Sequence, residues 1–134
     1  MMAQTAVRSL RLSLLANAVL SLLTGLLIGA FAARLGPALG LNDALWLQAF
    51  AVLLLVHFVV LMIVHRRSDV RLWTQLNLIC VGPYPFLLLA YLVFGPDRQA
   101  GAGTLVLADA LAVGAVAVWQ FLTWRASGQS NSAA

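Results

Sequence analysis

Residues 12–33, LSLLANAVLSLLTGLLIGAFAA, decide the fold. The stretch carries no charge and is mostly Leu, Ile, Val, Ala and Phe. A helix rises 1.5 Å per residue, so about 20 residues cross a hydrocarbon layer of roughly 30 Å, and the stretch reads as a transmembrane helix. Within it Ser13, Asn17, Ser21, Gly25, Gly29 and Ala33 recur at every fourth position. Residues four apart are neighbours on a helix surface, so this spacing predicts a continuous ridge of little bulk, used as a packing face. Ser21, Gly25 and Gly29 form its centre. Gly25 and Gly29 make a GxxxG pair, which lets another backbone approach closely. The partner is either a second helix of this chain or a second copy of it.

Working outward, three further apolar runs follow at 45–64, 72–94 and 104–124, each about long enough to span. Of 134 residues, 63% are hydrophobic and 9% charged. A water-soluble domain carries about 25% charged residues, so this chain lacks the polar surface to coat itself in water. The expected fold is all-α: a polytopic membrane protein, a single four-helix bundle over residues 1–134, with a polar tail at 126–134 too weakly apolar to order. The third run contains Gly82-Pro83-Tyr84-Pro85. Neither proline has an N–H to give the preceding turn, so this helix is expected to kink at Pro83 and Pro85.

The sequence pI is near 10.7, which in a soluble protein would suggest nucleic acid. Here every basic side chain counted as lysine or arginine is an arginine, and these arginines flank apolar runs. That is the placement lipid headgroups and membrane topology select, so the expected partner is the bilayer and no nucleic acid. Arg8, Arg11, Arg66, Arg67, Arg71 and Arg125 fall on one side of the four runs, and only Arg34 and Arg98 on the other. The positive-inside rule then puts both termini in the cytoplasm. Gly36-Pro37 is expected to stop the first helix, and Asn42 or Asp43 to cap the second.

The polar residues inside the runs are few. Asn17, His57, Asn77 and Gln120 come from four different runs and reach similar depths in the cytoplasmic half, so they form a candidate polar cluster. Amides in lipid seek each other because lipid offers no partner, which makes adhesion the plain reading and a ligand pocket the sharper one. Asp109 is the only carboxylate inside a run. A charged Asp facing lipid is costly, so it is expected to pair or to face a wet crevice. Arg34 is its nearest partner by depth, giving either a structural ion pair or a proton- or ion-binding site, with Arg98 as the alternative. His57 and His65 lie on or beside one helix, so one chain cannot grip a heme between facing helices. With one cysteine, Cys80, no disulfide or metal cluster is expected, and no cofactor.

Ala16-Asn17-Ala18 with Ser21 and Gly25, and Ala108-Asp109-Ala110 with Gln120, resemble a class of uncharacterised bacterial four-helix integral membrane proteins. The resemblance implies this architecture and a bacterial inner-membrane location, and it transfers no site. Small multidrug exporters of similar length depend on a membrane-embedded Glu, and this sequence has no Glu. Two functions follow. One is a non-catalytic accessory or interaction subunit, docking on a second copy or another membrane protein through its small-residue ridge. The other is a small oligomeric transporter or channel built on Asp109 and the broken third helix. Enzyme chemistry is not expected, because the sequence offers no carboxylate pair and no Cys–His set.

Overall fold

The computed structural model of the protein describes residues 2–99 and 101–129. Its elements are α1 (Met2–Ala38), α2 (Leu45–Val64), α3 (Val70–Val81), α4 (Tyr84–Phe94) and α5 (Ala102–Gln129). Among the described residues there is no strand. Taken with α3 and α4 as one unit, four helices are long and apolar enough to cross a membrane.

The helices overrun the apolar runs at several ends. α1 passes through Gly36-Pro37 and stops only beyond Ala38. Proline in the last turn removes one helical bond without blocking the turns behind it. The reversal belongs instead to Gly40, whose φ of +74° is open to glycine and strained for other residues. α5 likewise continues into the tail expected to be disordered. Residues 126–129 extend the helix, Ser127 Oγ donates to the Trp124 carbonyl, and Arg71 lies against Gly128. Residues 130–134 lie outside the described residues. At the start of α2 the capping position falls on Ala44, which offers no side-chain bond, and Asp43, one residue before it, accepts the N–H of Leu45 at 2.8 Å.

The third run is divided at Gly82-Pro83. Pro83 stands at the head of α4 and Pro85 lies in its first turn, where a missing N–H leaves nothing unsatisfied. Gly82 and Pro83 both keep right-handed helical dihedrals, so the chain carries on in the same sense while the ladder of backbone bonds is interrupted. Pro85 is buried and packs near Gly114 of α5. That contact places the start of α4 beside the middle of α5.

The ridge of small residues works over only part of its length. A Cβ on Gly25 would lie 3.2 Å from the Ala51 carbonyl oxygen and 3.2 Å from Leu54 Cβ, so the close partner of the GxxxG pair is α2 of the same chain. Beyond Gly25 the row leaves the interface. Gly29 and Ala33 are exposed, while Ala32 and Gly36 are buried. Four residues turn a helix about 40° past a full revolution, so a strict four-residue row winds around the cylinder. A contact that follows the axis must mix steps of three and four.

At the arginine-rich end, Leu10, Leu14 and Ala18 of α1 form an apolar cluster with Leu61 and Val64 of α2 and Val70 of α3. Phe58, Met62, Trp73 and Trp124 close around it. At the other end the connections hold each other: Gln99 N–H donates to the Ala38 carbonyl at 2.9 Å, and Tyr91 OH donates to the Leu39 carbonyl. Between the ends, α1 packs on α2, α5 and α3, and α5 packs on α4 and α3. α2 has no comparable contact with α3, α4 or α5. It leans on α1, and a gap separates it from the third run.

Candidate functional site: a polar cavity beside the divided helix

Buried polar side chains begin within the apolar cluster, at Ser13 and Gln120, and continue beyond it to Asn77 and Ser21. Gln120 is wholly buried, and its Nε2 donates to the Ser13 carbonyl at 3.1 Å. Asn77 Nδ2 donates to Gln120 Oε1 at 2.8 Å. Asn77 Oδ1 lies 2.8 Å from His57 Nε2, and His57 Nδ1 lies 2.9 Å from Ser21 Oγ. One series of bonds thus crosses α5, α3, α2 and α1, and each member except the terminal carbonyl comes from within an apolar run.

The series has a direction that chemistry dictates. A backbone carbonyl only accepts, so Gln120 must present its amide nitrogen to Ser13 and its oxygen to Asn77. Asn77 must then turn its own nitrogen to Gln120 and its oxygen to His57. His57 is left to carry its hydrogen on Nε2, and as a neutral ring it has Nδ1 free to accept from Ser21. The tautomer of a histidine on α2 is therefore set by a carbonyl on α1, through two amides. Ser13 itself spends its hydroxyl locally, on the Leu10 carbonyl at 2.8 Å.

Beyond this series lies a cavity of about 350 Å³ in the gap between α2 and the third run. Its polar lining comes from Asn17, Ser21 and Thr24 of α1, His57 of α2, Tyr84 of α4 and Asp109 of α5. The remaining walls are mainly Leu, Val and Phe side chains. Two contacts tie the gap together: the His57–Asn77 bond, and a stacked pair of Phe50 and Tyr84 with ring centroids 5.7 Å apart. On each side the two tied residues are about 10 Å apart along the helix, which frames an opening between them. Leu53, Val56 and Val60 line the cavity and are also exposed on the outer surface.

Asp109 accepts from Tyr84 OH at 2.9 Å through Oδ2, and from Thr24 Oγ1 at 3.4 Å through Oδ1. The expected pairing with an arginine is not found: among the described residues no salt bridge reaches Asp109. Arg34 is exposed. Arg98 donates to the carbonyls of Tyr91 and Leu92 and lies over the Tyr91 ring. The reason is local. Both arginines sit where helix ends and loops supply carbonyls and solvent, while Asp109 lies lower, beside the hydroxyls that begin α4 and line α1.

Of the expected polar cluster, His57, Asn77 and Gln120 stand in one series, and Asn17 stands beside it. Asn17 is 2% exposed, and its Nδ2 has no partner among the described residues. Depth counting puts His57 and Asp109 in opposite halves of the membrane, yet both line this one cavity. Ser21 and Thr24, bonded to them respectively, are less than one turn apart on α1. Thr24 escaped sequence reading because a lone hydroxyl in a leucine-rich helix ordinarily bonds its own preceding turn. Phe50 escaped because nothing in a uniformly apolar α2 marks which ring meets Tyr84. Comparison with family models, with curated proteins and with solved structures finds no significant match.

Proposed function

We propose that this chain is a multi-pass integral membrane protein of a bacterial inner membrane, with both termini cytoplasmic, that binds a small molecule in the cavity and moves it as a small transporter. The membrane reading is supported by four apolar helices whose outward side chains are large and hydrophobic, including Phe86, Val93 and Leu111. A soluble monomer rarely shows apolar patches above a few hundred Å². The orientation rests on the distribution of arginines, and the bacterial location on the resemblance carried by helices α1 and α5. The chain acts without catalysis, alone or as a small oligomer.

The observation that carries the transport reading is Asp109. A carboxylate within an apolar run stands in a cavity, held by two hydroxyls, with no arginine beside it. Intramembrane carboxylates of this kind mark ion and substrate paths. The interruption at Gly82-Pro83 supports the same reading, since divided helices in transporters expose backbone groups to substrates and give a point of flexure. Here it would act as the kink that lets α4 move against α2.

The accessory-subunit reading has one observation in its favour: the bonds from Ser21 to Gln120 are fully used within the chain, as structural glue would be. It accounts for that series and leaves Asp109 and the cavity without a role. Proteoliposomes with an internal pH dye separate the two. Wild-type protein is expected to carry a proton- or cation-linked flux that Asp109→Asn abolishes while its unfolding in detergent stays cooperative. A wild-type protein silent under imposed pH and voltage gradients, with Asp109→Asn changing stability alone, would leave the accessory reading.

A further inference from the structure

We propose that the ligand of this cavity is a lipophilic organic ammonium that enters sideways from the bilayer between α2 and α3 and sets its charged head against Asp109. The inference rests on the ligand-binding reading above and adds the chemical class and the route.

Charge selects the head group. The described residues include every arginine of the chain, and none of them pairs with Asp109. A carboxylate among apolar walls favours a counter-charge, and the cavity leaves that place to its occupant. The Phe50–Tyr84 stack lies in the same lining and adds aromatic surface, which quaternary ammonium groups favour. A metal ion is a poor fit. Hard cations need a cage of six or more oxygens, and among the described residues no cluster of three or more His, Cys, Asp or Glu forms.

The walls select the body and the route. Leu20, Leu53, Leu54 and Val113 suit hydrocarbon, and the volume of about 350 Å³ falls at the lower end of the range for small-molecule sites. Asn17 adds one requirement. Its buried Nδ2 lacks an acceptor, and it stands about 10 Å along α1 from Thr24, at the far end of the cavity from Asp109's hydroxyl partner. An ester or ether oxygen on the ligand's body would answer it. Because Leu53, Val56 and Cys80 belong both to the lining and to the outer surface, the cavity wall continues onto the face that meets lipid. A membrane-partitioned molecule can reach Asp109 without crossing either end of the bundle.

The chain's single cysteine supplies the readout. Cys80 is exposed and lines the cavity, so its rate of alkylation by N-ethylmaleimide reports occupancy in the full chain in mild detergent. The probes are butyrylcholine and 3,3-dimethylbutyl butyrate, which share shape and ester and differ in carrying a quaternary nitrogen or a neutral carbon. Butyrylcholine is expected to slow alkylation at concentrations about tenfold lower than its isostere, as a desolvated charge pair allows. Asp109→Asn should erase that preference and Asp109→Glu should keep it. Equal protection by the two probes in the wild-type protein would overturn the cationic ligand and leave the binding cavity standing. No protection by either probe would overturn both. The wild-type comparison decides even if Asp109→Asn fails to fold.

Discussion

Replacing Gln120 by leucine tests the series of bonds that joins α1, α2, α3 and α5. Leucine has similar bulk, so the change removes hydrogen bonds without opening a large void. Two bonds are lost: the one from Asn77 Nδ2 and the one to the Ser13 carbonyl. Side-chain bonds between membrane helices average about 0.6 kcal/mol and reach about 1.7, so the pair accounts for roughly 1 to 3 kcal/mol. The Asn77 end should dominate, because a buried amide donor left alone costs about 1–3 kcal/mol by itself. Direction adds a sharper test. Glu in place of Gln keeps the shape, but only its neutral form has a hydrogen to give the Ser13 carbonyl, so Gln120→Glu should destabilise more at high pH than at low pH, whereas Gln120→Leu should cost the same at both. Reversible unfolding in mixed detergent micelles measures both. A double-mutant cycle with Asn77→Leu should show coupling of about 0.6 to 1.7 kcal/mol. If the two leucine variants add within about 0.3–0.5 kcal/mol, the directed series is wrong.

The same assay reads other contacts. Gly25→Val should cost about 1–3 kcal/mol through overpacking against Ala51 and Leu54, whereas Gly29→Ala should be nearly silent, since its Cβ would stand 3.5 Å from that of Ala51 in ordinary contact. Equal effects at the two positions would show that α2 does not approach as described. Tyr84→Phe and Asp109→Leu should be non-additive, because each removes the same bond, while Arg34→Gln should leave the stability of either background unchanged; coupling between Arg34 and Asp109 in a double-mutant cycle would restore the ion pair. Gly40→Ala should destabilise by about 1 kcal/mol or more, given a positive φ and a Cβ that would meet the Asp97 carbonyl. A reporter fused to the C-terminus should be active only in the cytoplasm, and periplasmic activity would reverse the orientation.

Much of this protein is legible in one dimension because its physics is. A lipid solvent demands about 20 apolar residues per crossing and self-satisfied backbones, so run lengths alone yield four helices long and apolar enough to cross one. The same solvent makes buried amides conspicuous, and Asn77, Gln120, His57 and Asp109 stand out in sequence because leucine surrounds them. Helix ends were less legible, since α1 and α5 run beyond their apolar stretches on hydrogen bonds and packing that hydropathy does not register.

Partnership is what required the tertiary structure. Depth along each run placed Asp109 near Arg34, but rotation about the helix axis and the seating of Pro85 on Gly114 turn it toward Tyr84 and Thr24 instead. A four-residue ridge looked continuous from Ser13 to Ala33, yet the helix's 100° per residue loosens its contact with α2 from Gly25 to Gly29 and leaves Ala33 exposed. Run length and hydropathy are properties of consecutive residues, so the chain's order alone specifies four helices long and apolar enough to cross a membrane. Only the packed bundle decided that α2 packs chiefly on α1 and meets the third run at a few side chains, and so left a cavity whose carboxylate has no cation of its own.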